Sequence, residues 1–421
     1  MSFRKCARTR RLTNSCPLEI QLLENRRLLA ADITGKDPDN QLVIMPYAAP
    51  VDGGTVAVSV SSAGDITLIG DAKPNIVNVE IRGNAVVIDG AESTSFRLPG
   101  AVAQPSLEVP LPATVRSIHI NLAGGADSLY VKVSSDATIA RDVVVNLGSG
   151  DDSLILQVVN ADLKINQNLT VELGAGNDFA DIFVAEAGSL TANRDINVRA
   201  GSGDDTVVTG DDDYVDLDLL YNVEYFMGLE NNSEIPLAQR IRAGRDFTVD
   251  LGAGNDRLSL LNAESGRNLS VAAAGGVDTL VASNLRSARN TSITDAEGVA
   301  LQNLTAVGSL FLRGGSGSGR ASLDRVAVNR LDINLGFGND QLVLGEAVTV
   351  NVASSVNGGT GNNSAYSAKP QPKITFRRTT QTLTPVQSTE LLISVLDQVA
   401  GNLRAPAGSS GITPFQVILA E

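Results

Sequence analysis

Apolar and polar residues alternate in short runs along most of this chain. Val143, Val145 and Leu147 share one face, as do Leu169, Val171 and Leu173, and again Phe247, Val249 and Leu251. A period of two predicts half-buried strands. The alternation stops at a glycine-rich acidic stretch and resumes beyond it, at Leu154 and Leu156, Leu258 and Leu260, Leu342 and Leu344. Each unit therefore predicts a strand, a tight corner and a second strand.

The corner recurs. It reads NLGSGDDSL from Asn146, ELGAGNDFA from Glu172, RAGSGDDTV from Arg199, DLGAGNDRL from Asp250 and NLGFGNDQL from Asn334, with weaker copies from Asn121 and Ala273. Its last acid falls at Asp127, Asp152, Asp178, Asp205, Asp256, Asp278 and Asp340, so successive differences are 25, 26, 27, 51, 22 and 62. A second marker stands ten residues earlier, at Ser117, Asp142, Asn168, Asp195, Asp246, Asn268 and Arg330. The same offset pairs Asn222 with Asn232, Asn290 with Ala300 and Asp65 with Asn75. These pairs predict extra repeats inside the two long gaps and an array that begins near residue 65. Glycine supplies positive φ at the corner, and Asp or Asn can bond nearby backbone amides.

A repeat of 22 to 27 residues with two or more short strands predicts an all-β, single-stranded parallel β-helix, or solenoid, of about a dozen coils. A sandwich of hairpins fits less well, because one corner recurs at one-coil spacing. Val143, Val171, Val249 and Ile333 are expected to stack in one inward column. Four prolines between Pro99 and Pro112 predict an irregular or looped-out turn. The organisation expected is a basic export-type segment over 1–31, a linker or cap over 32–54, the repeat domain over 55–363, and a C-terminal region over 364–421. In that last region Leu391, Leu392, Val395, Leu396 and Val399 predict a short capping helix, with a final strand near Phe415 to Leu419. Such a cap would cover a sheet edge that otherwise recruits other chains.

Composition narrows the function. There is no Trp, aromatics are 4%, Gly numbers 40, and the net charge is −14. Residues 1 to 31 hold seven Lys or Arg and two Glu, so the remainder carries 26 minus 45, or −19. That surface disfavours nucleic acid and suits a solvated extracellular protein or one that gathers cations. Cys6 and Cys16 both lie in the basic segment, so the repeat region holds no disulfide. No apolar run is long enough for a transmembrane span.

Leu23-Glu24-Asn25-Arg26-Arg27-Leu28-Leu29-Ala30 resembles the LEPR-XLL-type segment that precedes secreted, repeat-rich bacterial proteins, with Asn25 where the motif has Pro. The resemblance implies export, with loss of the segment near Ala30 or Ala31, and hence an extracellular or cell-surface location. The corners GSGDDSL, GAGNDRL and GFGNDQL resemble the RTX or haemolysin-type calcium repeat, which implies calcium held by the Asp and by glycine carbonyls of successive turns. That family repeats every nine residues, whereas here one corner occurs per longer coil.

Stacked carboxylates about 5 Å apart repel by roughly 1 kcal/mol in water and several at an effective dielectric near 20. Two remedies are open: calcium bound by the seven corner aspartates, or each Asp capping its own corner's amides. His119 is the only histidine and is expected to face outward, which removes multi-histidine metal sites and His-dependent triads. Thr209 to Asn232 joins GDDDY to Tyr214, Tyr221, Tyr225 and Phe226, and reads either as a cation or ligand site or as an acidic turn followed by ordinary packing. The function expected is an exported structural or adhesive protein, partnered by cell-surface polysaccharide or other surface proteins. The alternative is a polysaccharide-acting lyase or hydrolase using acid pairs such as Asp151 with Asp152, Asp204 with Asp205, or those of Asp211 to Asp213.

Overall fold

The structure is a computed structural model that describes residues 53–82, 85–90, 94–110, 115–211, 241–345 and 347–382. The chain divides into Met1–Ala49 and Pro50–Glu421, and every described residue belongs to the second unit. The basic segment, the expected capping helix and final strand, and most of the tyrosine-rich stretch lie outside the described residues.

The described residues are all-β and join into one hydrogen-bonded, largely parallel sheet system. Pairing follows three columns. The first runs through Ser117–Asn121, Val143–Ser149, Leu169–Ala175 and Ile196–Ser202 to Phe247–Asp250 and onward, each strand parallel to its equivalent in the next repeat. The second runs from Ile76–Arg82 through Ser128–Val133 and the first half of Ser153–Ile165, then onward to Ser364–Ser367 and Thr380–Thr382. The third takes the ends of the long strands, as where Leu163 to Ile165 pair with Ala137–Ile139.

Register follows the apolar pattern, because a slip of one residue would turn every inward side chain out. Val171, Val249 and Ile333 do share an inward column, but it passes through Val145. Val143 stands in the neighbouring column with Leu169 and Phe247. Period two assigns a face, and the two columns on that face are told apart only by pairing.

The two long gaps resolve differently from expectation. Ile196–Ser202 pairs directly with Phe247–Asp250, and Thr206–Asp211 with Arg257–Leu261. No layer lies between these strands, and Asn222 and Asn232, which were expected to mark one, lie outside the described residues. In the second gap Asn290 is placed as expected, but the corner is three residues shorter. Gly298 aligns with Thr279, which puts Glu297, not Ala300, at the place of the last acid. The expected early start holds, since Asp65–Ile69 pairs with Ser117–Asn121 and Ile76 with Ser128. The proline-rich stretch belongs to an antiparallel excursion in which Ala85–Gly90 pairs with both Ile76–Arg82 and Ser106–Pro110.

The core is built of aliphatic layers, with Val145, Val171, Val198 and Val249 all buried. Strands of the first column are half-buried, as predicted. Several middle strands of the second column are buried on both faces: Ile155, Phe183, Val208, Val281 and Val343 point away from the main core yet are buried. Their sequences, such as SLILQVV and QLVL, are correspondingly continuous in apolar residues.

Candidate functional site

The corner between the first and second columns carries the seven aspartates. Its glycines let successive layers approach closely. Gly150 has φ +131°, and a Cβ there would stand 1.7 Å from the carbonyl oxygen of Gly125; Gly148, at φ +110°, would place one 2.0 Å from that of Ala123. Any side chain is excluded twice, by backbone conformation and by the layer beneath.

This stacking brings all seven aspartates into one buried column, none of them more than 2% exposed. Each side chain reaches back by one layer. Asp152 Oδ1 accepts the Asp127 amide at 2.7 Å, Asp178 that of Asp152 at 2.9 Å, Asp205 that of Asp178 at 2.8 Å, Asp256 that of Asp205 at 2.8 Å, and Asp278 that of Asp256 at 2.9 Å. Asp127 accepts the Asn75 amide at 2.7 Å, and Asp340 that of Gly319 at 2.7 Å. The bond joins neighbouring layers, so it caps the preceding corner and not its own.

Two further residues, neither among the seven expected, join the ladder. Glu297 Oε2 accepts the Asp278 amide at 3.1 Å, its longer arm lying over a glycine run; a Cβ on Gly315 would come within 2.0 Å of Glu297 Oε1. Asn363 Oδ1 accepts the Asp340 amide at 2.8 Å, and the stretch GTGNNS around it was a readable copy of the motif. The ladder breaks at Gly319, which has no side chain to offer the Glu297 amide; that amide turns to the Asp278 carbonyl at 3.2 Å instead.

The second oxygen, Oδ2, of each of the seven aspartates is buried without a hydrogen-bond partner. Burial therefore pushes these carboxyls up, to about 8 at Asp127, about 7 at Asp152, Asp205 and Asp278, and about 6 at Asp178 and Asp256. Asp340 is raised by the same cause. The accepted amide bond opposes the shift, and neighbouring carboxylates such as Asp178 beside Asp152 add to it. Among the described residues, no group of three or more His, Cys, Asp or Glu side chains is arranged to hold a metal ion.

Asp151, Asn177, Asp204 and Asn255, each just before a buried Asp, form a second ladder nearer the surface that points the other way. Asp151 Oδ1 accepts the Asn177 amide at 2.8 Å, Asn177 that of Asp204 at 2.9 Å, Asp204 that of Asn255 at 2.8 Å, and Asn255 that of Val277 at 3.0 Å. The acid pairs are thus split, Asp151 exposed and Asp204 half-buried against the buried Asp152 and Asp205. His119 is exposed on an outward strand position, as expected.

The marker ten residues upstream is a ladder too. Asp142 Oδ1 accepts the Asn168 amide at 3.1 Å, and the series continues through Asp195, Asp246 and Asn268 to Asn290 Oδ1, which accepts from Ser309 at 2.9 Å. At the remaining corner Asn262, Asn284 and Asn303 adopt positive φ, a conformation Asn tolerates, and their amides stack at 3.0 Å. Nothing in the repeat motif had pointed to that set.

Comparison with protein-family models, curated proteins and solved structures finds no match. Among the described residues no helix is long and apolar enough to cross a membrane.

Proposed function

We propose that the chain winds as one β-helical solenoid and serves as an exported structural or adhesive protein at the cell surface or in the extracellular space. The observation that carries this reading is the buried aspartate ladder. The most conspicuous chemical residues of the sequence are committed to joining one layer to the next. Parallel pairing of each strand with its equivalents in both neighbouring repeats supports the winding, and the LEPR-XLL-like segment supports export.

Corner capping is the role this geometry favours for Asp127, Asp152, Asp178, Asp205, Asp256, Asp278 and Asp340, since one oxygen of each is already held by an amide. Calcium needs six to eight oxygen ligands. Calorimetric titration and melting of the metal-free protein should show no heat and no shift at millimolar calcium. A melting temperature that rises with calcium and falls back with chelator would replace capping with metal binding. For location, the full chain carrying a C-terminal tag should be accessible to protease on intact cells; a tag protected until lysis would overturn the export reading.

A further inference from the structure

The corner between the third and first columns has a chemistry of its own. Backbone amides and carbonyls stack Arg116, Arg141, Gln167, Arg194, Arg245, Arg267 and Arg289 in unbroken succession, each amide donating to the carbonyl of the residue before. Six of the seven are arginine. Six steps at strand spacing extend about 29 Å. In a chain of net charge −14 this is a line of arginines interrupted only at Gln167.

Half of it is neutralised in a regular way. Where the preceding layer's ladder residue is Asp, the arginine pairs with it: Arg116 with Asp65 at 3.2 Å, Arg245 with Asp195 at 3.6 Å, and Arg267 with Asp246. Where that residue is Ser117, Asn168 or Asn268, the following Arg141, Arg194 or Arg289 is exposed and makes no ion pair or side-chain hydrogen bond among the described residues. Lys164 and Arg286 flank the line on outward positions of the third column.

We propose that this arginine line is a binding surface for a linear acidic polysaccharide. A guanidinium takes a carboxylate or sulfate through two parallel hydrogen bonds, which a hydrated ammonium does not. The line is one residue wide, which suits a single extended chain. Arg141 and Arg194 stand two layers apart, about 9.6 Å, roughly the length of two sugar units, so a chain with an acid on every sugar brings every second carboxylate to this spacing. Beside the line the first column presents Thr170, Asn197, Thr248, Ser270 and Ser292 in adjacent layers, polar groups matched to sugar hydroxyls. These five layers offer no aromatic platform for stacking bases, and the acidic remainder repels a duplex. The partner's class rests on the extracellular reading above. The binding itself does not, because it is measured on the purified chain.

The test is titration of the full chain with oligogalacturonate at low salt, with neutral dextran and oligo(dT) as comparisons. The wild type should bind oligogalacturonate, more weakly as salt rises. The triple variant R141Q/R194Q/R289Q, which repeats the natural residue at Gln167, should bind at least tenfold more weakly with an unchanged melting curve. A charge-matched control, R82Q/R97Q/R377Q, should stay within twofold of wild type. The single variant R194E is the second readout should the triple variant melt early, and it should weaken binding as well. Absence of wild-type binding, equal loss in triple and control variants, or equal affinity for oligo(dT) would each overturn the proposal.

Discussion

Two corners of this molecule use the same hydrogen bond and reach opposite electrostatic ends. At the glycine corner an aspartate oxygen accepts an amide from the preceding layer, and at the arginine corner an aspartate accepts one from the following layer. The buried set is pushed up by desolvation, to about 7 at Asp152, with its second oxygen unpartnered. At Asp246 desolvation also acts upward. Hydrogen bonds from Arg267 and from the Asn268 amide outweigh it, and the carboxyl is held below its ordinary value. A stacked carboxylate can therefore be tolerated in two ways, by taking up a proton in the interior or by acquiring a cation at the surface. Which way applies is decided by burial, since a guanidinium cannot follow an aspartate into the closed glycine corner.

The strongest way to expose this difference is pH. The buried carboxyls have folded-state values between about 6 and about 8, against 3.8 for the ordinary group. The folded state thus binds more protons than the unfolded state across that window, so stability is greatest on the acidic side and falls as pH rises from about 4 to about 8. Each carboxyl still protonated in the fold contributes about 1.4 kcal/mol of loss per pH unit. Urea midpoints should be higher at pH 5 than at pH 8; a flat or rising profile would show that the column is ionised and compensated.

Next in size is the glycine requirement. Gly254→Ala places a Cβ 1.6 Å from the Gly203 carbonyl oxygen at a φ of +151°. A loss of roughly 3 kcal/mol or more is expected, read as a drop in the thermal midpoint. Asp178→Asn comes third. The amide oxygen can still accept the Asp152 bond, as Asn363 does for Asp340, while the charge disappears. At pH 8 the variant should be more stable than wild type by up to about 3 kcal/mol, and near pH 4 it should be equal or slightly weaker. Its stability should vary less with pH, and an equal pH slope in variant and wild type would count against the protonated column.

The smallest effect belongs to the arginine corner. Asp142 is followed one layer on by Gln167, where Asp195 and Asp246 are followed by arginine. Gln167→Arg should complete the series with a gain of about 0.5 kcal/mol in low salt that vanishes in high salt. A salt-independent gain would assign the effect to packing.

The amino-acid sequence by itself determined that the chain is a stack of short strands, where its corners fall and which faces turn inward, because a period of two and glycines with positive φ are local demands. It also carried the two polar markers wherever the ten-residue spacing is kept, and lost the second of them at Glu297, where the corner is three residues shorter. The tertiary structure alone decided which layers are neighbours. Asn222 and Asn232 have the right spacing, yet the Asp205 amide donates directly to Asp256, and no spacing rule can see that a 51-residue step joins two neighbouring layers. It likewise decided that the aspartates reach back a layer into the interior while the residues before them reach forward at the surface. Direction along a stack is a relation between layers, and a single repeat contains no information about the one above it.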